Sequence, residues 1–181
     1  MANHLLIAMP TLNDPGFEGS VTLICEHSAE GAVGMVINKP TNLRIGEVFK
    51  ELELTDLSAE RAAQPVLAGG PVSRDRGFVI HNLAGDYEST LQVSPDLRVS
   101  FAPDILAALA QSDDATPALF GLGYAGWASG QLEDELLDNA WLTAPASSEL
   151  VFDTDFEQRW SQAARSIGVD LDRLAPMAGH D

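Results

Sequence analysis

Cys25-Glu26-His27 is the densest run of reactive side chains in the sequence. An imidazole beside a thiol can lower the thiol pKa and orient it as a nucleophile, and Glu26 or His27 could serve as a general base. The competing reading is structural. Period-two alternation places Val21, Leu23, Cys25 and His27 on one face of a strand, where a cysteine behaves as a small hydrophobe, and we expect that role for Cys25. The other histidines, His4, His81 and His180, show no paired spacing of the kind a zinc site needs, so no metal site is expected. His27 and His81 both sit near expected strand ends, where they could meet.

Two glycine motifs could hold phosphate. Gly121-Leu122-Gly123-Tyr124-Ala125-Gly126 is a literal GxGxxG after an apolar run, but a dinucleotide site needs a helix opening at the third glycine and an acidic residue some twenty positions on. Gly130 delays the helix and the run from Trp141 to Ala144 has no carboxylate, so we read a chance match and expect no cofactor. Gly69-Gly70-Pro71 followed by Arg74, Asp75 and Arg76 is either an anion cradle or a tight turn with a local ion pair. The turn is favoured. Tyr124, Trp127 and Trp141 are expected in the core or in a pocket wall.

These residues are carried by short strands and helices. Strands are expected at Leu5–Met9, Val21–His27, Gly31–Asn38, Pro65–Ala68, Gly77–His81, Ser89–Val93, Leu97–Phe101, Leu119–Tyr124 and Trp141–Ala144. The second and third form a hairpin through Ser28-Ala29-Glu30. Ile45, Val48, Phe49 and Leu52 make a helical stripe over residues 43–53 with Asn42 as cap, and residues 54–64 read as a polar connector. Further helices are expected from Pro103 to about residue 111, from Ser129 or Gly130 to about Asn139, and after a Thr154-x-x-Glu157 capping box as far as Gly168.

A chain of 181 residues, 45% of them hydrophobic, is long enough for one sizeable core, so a single domain over 1–181 is expected, with a peripheral tail from about residue 169. With 27 acidic against 10 basic residues the net charge is −17, which opposes polyanions and anionic membrane surfaces. Lys39, Arg44, Lys50, Arg74 and Arg76 are the strongest case for a local DNA-binding patch. One cysteine excludes an internal disulfide and fits a reducing, cytoplasmic setting. The run up to Pro10 reads as a first strand and not as a signal peptide, and the uncharged stretch 115–132 is broken by Pro117 and four glycines, so no membrane span is expected.

Several blocks go beyond what hydrophobic spacing requires: His4-Leu-Leu-Ile-Ala-Met-Pro10, Asp14-Pro15-x-Phe17-x-x-Ser20-Val21, Cys25-Glu26-His27, Gly31-Ala32-x-Gly34-x-Val36-Ile37-Asn38-x-Pro40, Gly69-Gly70-Pro71-Val72, Asp75–His81, and Gly123-Tyr-Ala-Gly126-Trp127-x-x-Gly130-Gln131-Leu132-Glu133-x-Glu135-Leu136. In these blocks the chain resembles the AlgH/YqgE family of bacterial proteins from residue 4 to about 165. The resemblance implies an α+β fold in which a bent, mixed or antiparallel sheet closes partly into a barrel with helices around it. It implies an association with regulation of alginate production and transcription, and no catalytic residues.

Functionally we expect a regulatory or binding protein that holds a small ligand or a protein partner, without direct DNA contact. Buried polar residues must be paired, so the polar members of the blocks, Asn13, Glu26, His27, Asn38, Arg76 and His81, are expected to gather around one pocket. The alternatives are an enzyme with Glu26 and His27 as acid–base groups, and a DNA-binding regulator using the five-cation patch.

Overall fold

Aliphatic runs cut short by Pro, Gly and Asx turns give ten strands and five short α-helices in the computed structural model, which describes residues 1–55 and 57–174. The strands are β1 (His4–Ala8), β2 (Val21–Ser28), β3 (Gly31–Val36), β4 (Pro40–Arg44), β5 (Pro65–Ala68), β6 (Val72–His81), β7 (Thr90–Ser94), β8 (Leu97–Ser100), β9 (Ala118–Ala128) and β10 (Trp141–Pro145). The helices are α1 (Ile45–Glu51), α2 (Ala59–Ala62), α3 (Asp104–Ala110), α4 (Gln131–Leu137) and α5 (Phe156–Arg165). The fold is α+β, as expected. The pairing is mixed, since β5 runs parallel to β9 and the other described ladders are antiparallel. Strand order is β10-β1-β2-β3-β9-β6-β8-β7, with β4 and β5 joined on through β5. The partial barrel implied by the resemblance is not formed: β10 pairs with β1 and β7 with β8, so both ends of the order stay open.

The chain divides into two compact units, Met1–Asn38 with Gly126–Asp181, and Lys39–Ala125. In the first unit, β1 lies between β10 and β2, and Leu5, Leu6, Ile7, Val21, Leu23 and Ile24 are fully buried. The expected hairpin is present, with a β-bulge between Ile24 and Glu26 that leaves Cys25 as the extra residue. Helix α5 is fastened by its polar residues. Arg159 is buried and donates to the Ile37 and Thr154 carbonyls, its guanidinium stacks 4.8 Å from the Phe156 ring, and Trp160 Nε1 donates to the Ala8 carbonyl at 2.8 Å. Burial, partly offset by Asp155, lowers the Arg159 pKa to about 10, so the group remains charged at neutral pH.

In the second unit Ile45, Phe49, Val79, Ile105, Leu106, Leu109, Ala118 and Phe120 form a core beneath α1 and α3. Asn42 does not cap α1: it belongs to β4, a strand absent from the sequence reading, and the Arg44 backbone N–H is bound by Glu47 Oε2 at 2.8 Å instead. The expected connector 54–64 contains α2, capped by Ser58 and holding a buried Arg61 that donates to the Thr116 and Asp113 carbonyls. In the first unit, the expected capping box at Thr154 is likewise replaced, because Thr154 Oγ1 donates back to the Glu149 carbonyl of a π-helical turn and Asp155 precedes α5. Leu171, within the tail expected to be peripheral, is buried.

Candidate functional site

The six polar residues expected around one pocket fall in both units, and no hydrogen bond among the described residues joins any two of them. Asn13 and Glu26 are exposed. Asn38 ties a loop, accepting from the Val21 N–H and donating to the Gly19 carbonyl, both at 2.9 Å. His27 pairs with Glu133 in the first turn of α4. Arg76 stacks its guanidinium over Phe101, 4.9 Å from the ring centroid. His81 is fully buried, with Nε2 2.7 Å from Ser100 Oγ and Nδ1 accepting from the Leu83 N–H at 3.1 Å. Its pKa falls to about 4 because burial, and secondarily the Arg98 charge, disfavours the imidazolium.

The other sequence motifs are used by the fold. Cys25 is buried against Met35 Sδ at 3.2 Å, and desolvation, with Glu26 second, pushes its pKa up to about 12, so the thiol stays protonated. Gly69 and Gly70 are not an anion cradle: the Gly69 N–H donates to the Leu122 carbonyl at 2.8 Å, and a Cβ on Gly70 would lie 2.1 Å from the Tyr124 carbonyl carbon. The local ion pair expected at Asp75 is also absent among the described residues, since Arg76 is spent on Phe101. The GxGxxG lies within β9, which continues through Trp127 and Ala128, and the next helix opens only at Gln131, which removes the dinucleotide reading. Phe17, Trp127 and Trp141 pack together with ring centroids 5.5–6.2 Å apart, leaving no room for a base between them. Trp127 Nε1 donates to Glu135 Oε2 at 2.9 Å, and desolvation, against that bond, raises the Glu135 pKa. His180 lies outside the described residues.

Among the described residues, each unit offers a concave site. The first unit has a shallow cleft of about 560 Å³ lined by Cys25, Glu26, His27, Glu30 and Trp127. Its chemistry is the His27–Glu133 pair: a backbone N–H of its own helix turn, then His27, holds the exposed Glu133 below the usual carboxylate range. A carboxylate that orients an imidazole is one half of a general-base device.

The second unit has a groove of about 410 Å³ lined by Val66, Phe78, Val79, Phe120 and Leu106, by Ile45 and Val48 of α1 and Leu52 just after it, and by Phe101 and Pro103. The stripe predicted for α1 explains it. Ile45 and Phe49 turn into the core, while Leu52, one turn on, remains 47% exposed at the groove. The polar reading of the blocks missed this site because its lining is aliphatic and aromatic. An uncovered Leu52 and an apolar Phe101-Ala102-Pro103 lead into α3 were the available signals.

A profile of the AlgH-like family matches residues 5–172. The chain belongs to the AlgH-like family. Its relatives include UPF0301 proteins of Saccharophagus degradans, 48% identical over 180 residues covering 99% of this chain and 88% of the relative, and of Xanthomonas campestris, 49% identical over 181 residues covering 99% and 96%. The solution structure of the AlgH protein from Pseudomonas aeruginosa is similar at a TM-score of 0.78 and 44% identity, covering 99% of this chain and 95% of that one. A crystal structure from Corynebacterium diphtheriae, at 0.73 and 21% identity over 97% and 91%, shares the fold. In this AlgH-like chain the diagnostic blocks hold loops and strands together, as Asn38, Gly70 and Trp127 do, and no described helix is long and apolar enough to cross a membrane.

Proposed function

We propose that this AlgH-like chain is a binding protein of the cytoplasm, and that the groove of the second unit takes a small apolar ligand through which the protein acts on a regulatory partner. The observation that carries this reading is the groove itself. Its volume of about 410 Å³ lies in the range of small-molecule sites, and its lining is predominantly apolar with a few polar groups at the edge. A role in transcriptional control, which the resemblance to the AlgH/YqgE family implies, then runs through the partner and not through DNA. The unit that holds Lys39, Arg44, Lys50, Arg74 and Arg76 carries 7 basic against 12 acidic residues, so its averaged field still repels phosphate.

The test is ligand-induced stabilisation. Neutral apolar compounds that fill the groove should raise the melting temperature in proportion to the logarithm of their concentration above Kd. A panel of such compounds that leaves the transition unmoved removes the reading. Native mass spectrometry of protein purified from its own cells should show a retained small mass.

The His27–Glu133 pair supports a second reading, an acid–base enzyme acting in the cleft of the first unit. Under that reading His27→Gln abolishes the cellular phenotype while leaving the fold intact, and under the binding reading it does not.

A further inference from the structure

The two charged residues that line the groove are Glu51, at the end of α1, and Asp75, on the exposed part of β6. Both are acidic and exposed, and neither forms an ion pair among the described residues. Of the two arginines that flank Asp75, Arg76 is stacked on Phe101, and Arg74 forms no ion pair among the described residues. The remaining polar lining group, Ser100, is fully buried and its hydroxyl is engaged with His81 and Thr90, so it offers a ligand nothing. An occupant thus meets an aliphatic and aromatic floor and, at the edge, two carboxylates without partners, in a unit and a chain that are both negative overall.

We infer that the groove selects a small molecule with an apolar body and a cationic nitrogen head, the body lying over Phe78, Phe120 and Leu106 and the head placed between Glu51 and Asp75. This rests on the groove reading above and adds the ligand class to it. An anionic head would stand against both carboxylates and the net charge of −17. A neutral head gains neither attraction nor repulsion. Selectivity therefore lies in the head, and affinity in the body.

The experiment compares octylammonium, octanol and octanoate below their aggregation concentrations, by calorimetry, on the full chain and on two variants. In Glu51→Gln/Asp75→Asn the rim is neutral. In Gly77→Leu the new side chain starts without a clash, its Cβ in ordinary van der Waals contact at 3.9 Å from Gly121 O and Leu122 Cδ2, and grows among the lining residues. Octylammonium should bind about five-fold or more tighter than octanol at low salt, and octanoate weakest, a spread that shrinks in 0.5 M salt. The double variant should bind the ammonium and the alcohol alike, and Gly77→Leu should bind none of the three. Amide chemical-shift changes on the unaltered chain should be confined to the groove residues, which locates the site even if Gly77→Leu folds poorly.

Equal binding of all three compounds, or tighter binding of octanoate, overturns the head-group assignment and leaves the groove reading standing. So does an ammonium preference that survives in the double variant, because it would then come from the field of the whole protein. If no octyl compound binds, or if the shifts lie elsewhere, the groove reading fails and this inference with it.

Discussion

His81 and Ser100 are joined across β6 and β8 by a hydrogen bond of 2.7 Å whose direction can be assigned. His81 Nδ1 accepts from the Leu83 N–H, so in the neutral ring Nε2 carries the proton and donates to Ser100 Oγ. Thr90 Oγ1 lies 2.7 Å from Ser100 Oγ and donates to the Glu88 carbonyl at 3.3 Å, so the chain continues His81 to Ser100 to Thr90 to Glu88 with every donor used once. A residue that looked like a ligand-binding histidine is the start of a structural relay over β6, β8 and β7.

The relay predicts a pH dependence of stability. The folded ring has a pKa of about 4, against 6.5 for an unperturbed histidine, so between those values the unfolded chain binds a proton that the folded chain refuses. The stabilisation is complete above about pH 6.5 and is lost as pH falls toward 4, by about 3 kcal/mol in all. Denaturant midpoints of the wild type and His81→Gln should therefore converge as pH drops through this window. A constant gap would show that the ring is not held neutral.

Cys25 should be chemically silent. With its pKa near 12, alkylation by iodoacetamide at pH 8 should run about a thousandfold slower than for a free thiol and become fast only in denaturant. Mass spectrometry after timed labelling reads this directly. Rapid labelling of the native chain would place Cys25 outside the bulge pocket beside Met35.

Arg159→Met should cost about 3 kcal/mol, because the buried Ile37 carbonyl and the part-buried Thr154 carbonyl both lose a charged donor. Arg159→Lys should recover little, since one ammonium lacks the fork that reaches two carbonyls. Chemical denaturation should show both variants unfolding at lower denaturant with the slope unchanged.

Gly70→Ala should destabilise by about 3 kcal/mol, through its φ of +154° and a Cβ 2.1 Å from Tyr124 backbone. Gly130→Ala, at a φ of +77° but with nothing within 4 Å, should cost about 1 kcal/mol. Thermal unfolding of the two variants side by side checks the difference between backbone collision and backbone strain alone.

The parts of the fold that were legible in the sequence are those written in periodic apolar runs or marked by glycine: β1, the β2–β3 hairpin, the inward-facing Ile45 and Phe49 of α1, and the glycine-opened α4. The parts that were not legible are those where a side chain's choice among backbone partners decides the outcome. Asn42 has the chemistry of a helix cap, yet Pro40–Arg44 gains more by pairing with β5, and Glu47 satisfies the N–H that Asn42 would have taken. Thr154 faced the same choice and turned to Glu149. At the site level, residue type correctly signalled that Asn38 and His81 would be paired, but it does not say whether the partner is a ligand or the chain's own backbone. The groove went unread because its walls come from α1, β6 and the approach to α3, and only their juxtaposition makes a concavity.

The first unit is built from the two ends of the chain, and this affects its synthesis. β1 leaves the ribosome long before its partner β10 or the covering helix α5 has been translated, a delay on the order of ten seconds at ordinary elongation rates. Throughout that interval Leu5, Leu6 and Ile7 have neither an outer neighbour strand nor a helical cover. Nascent chains paused before Trp141 should be the ones that cellular chaperones hold.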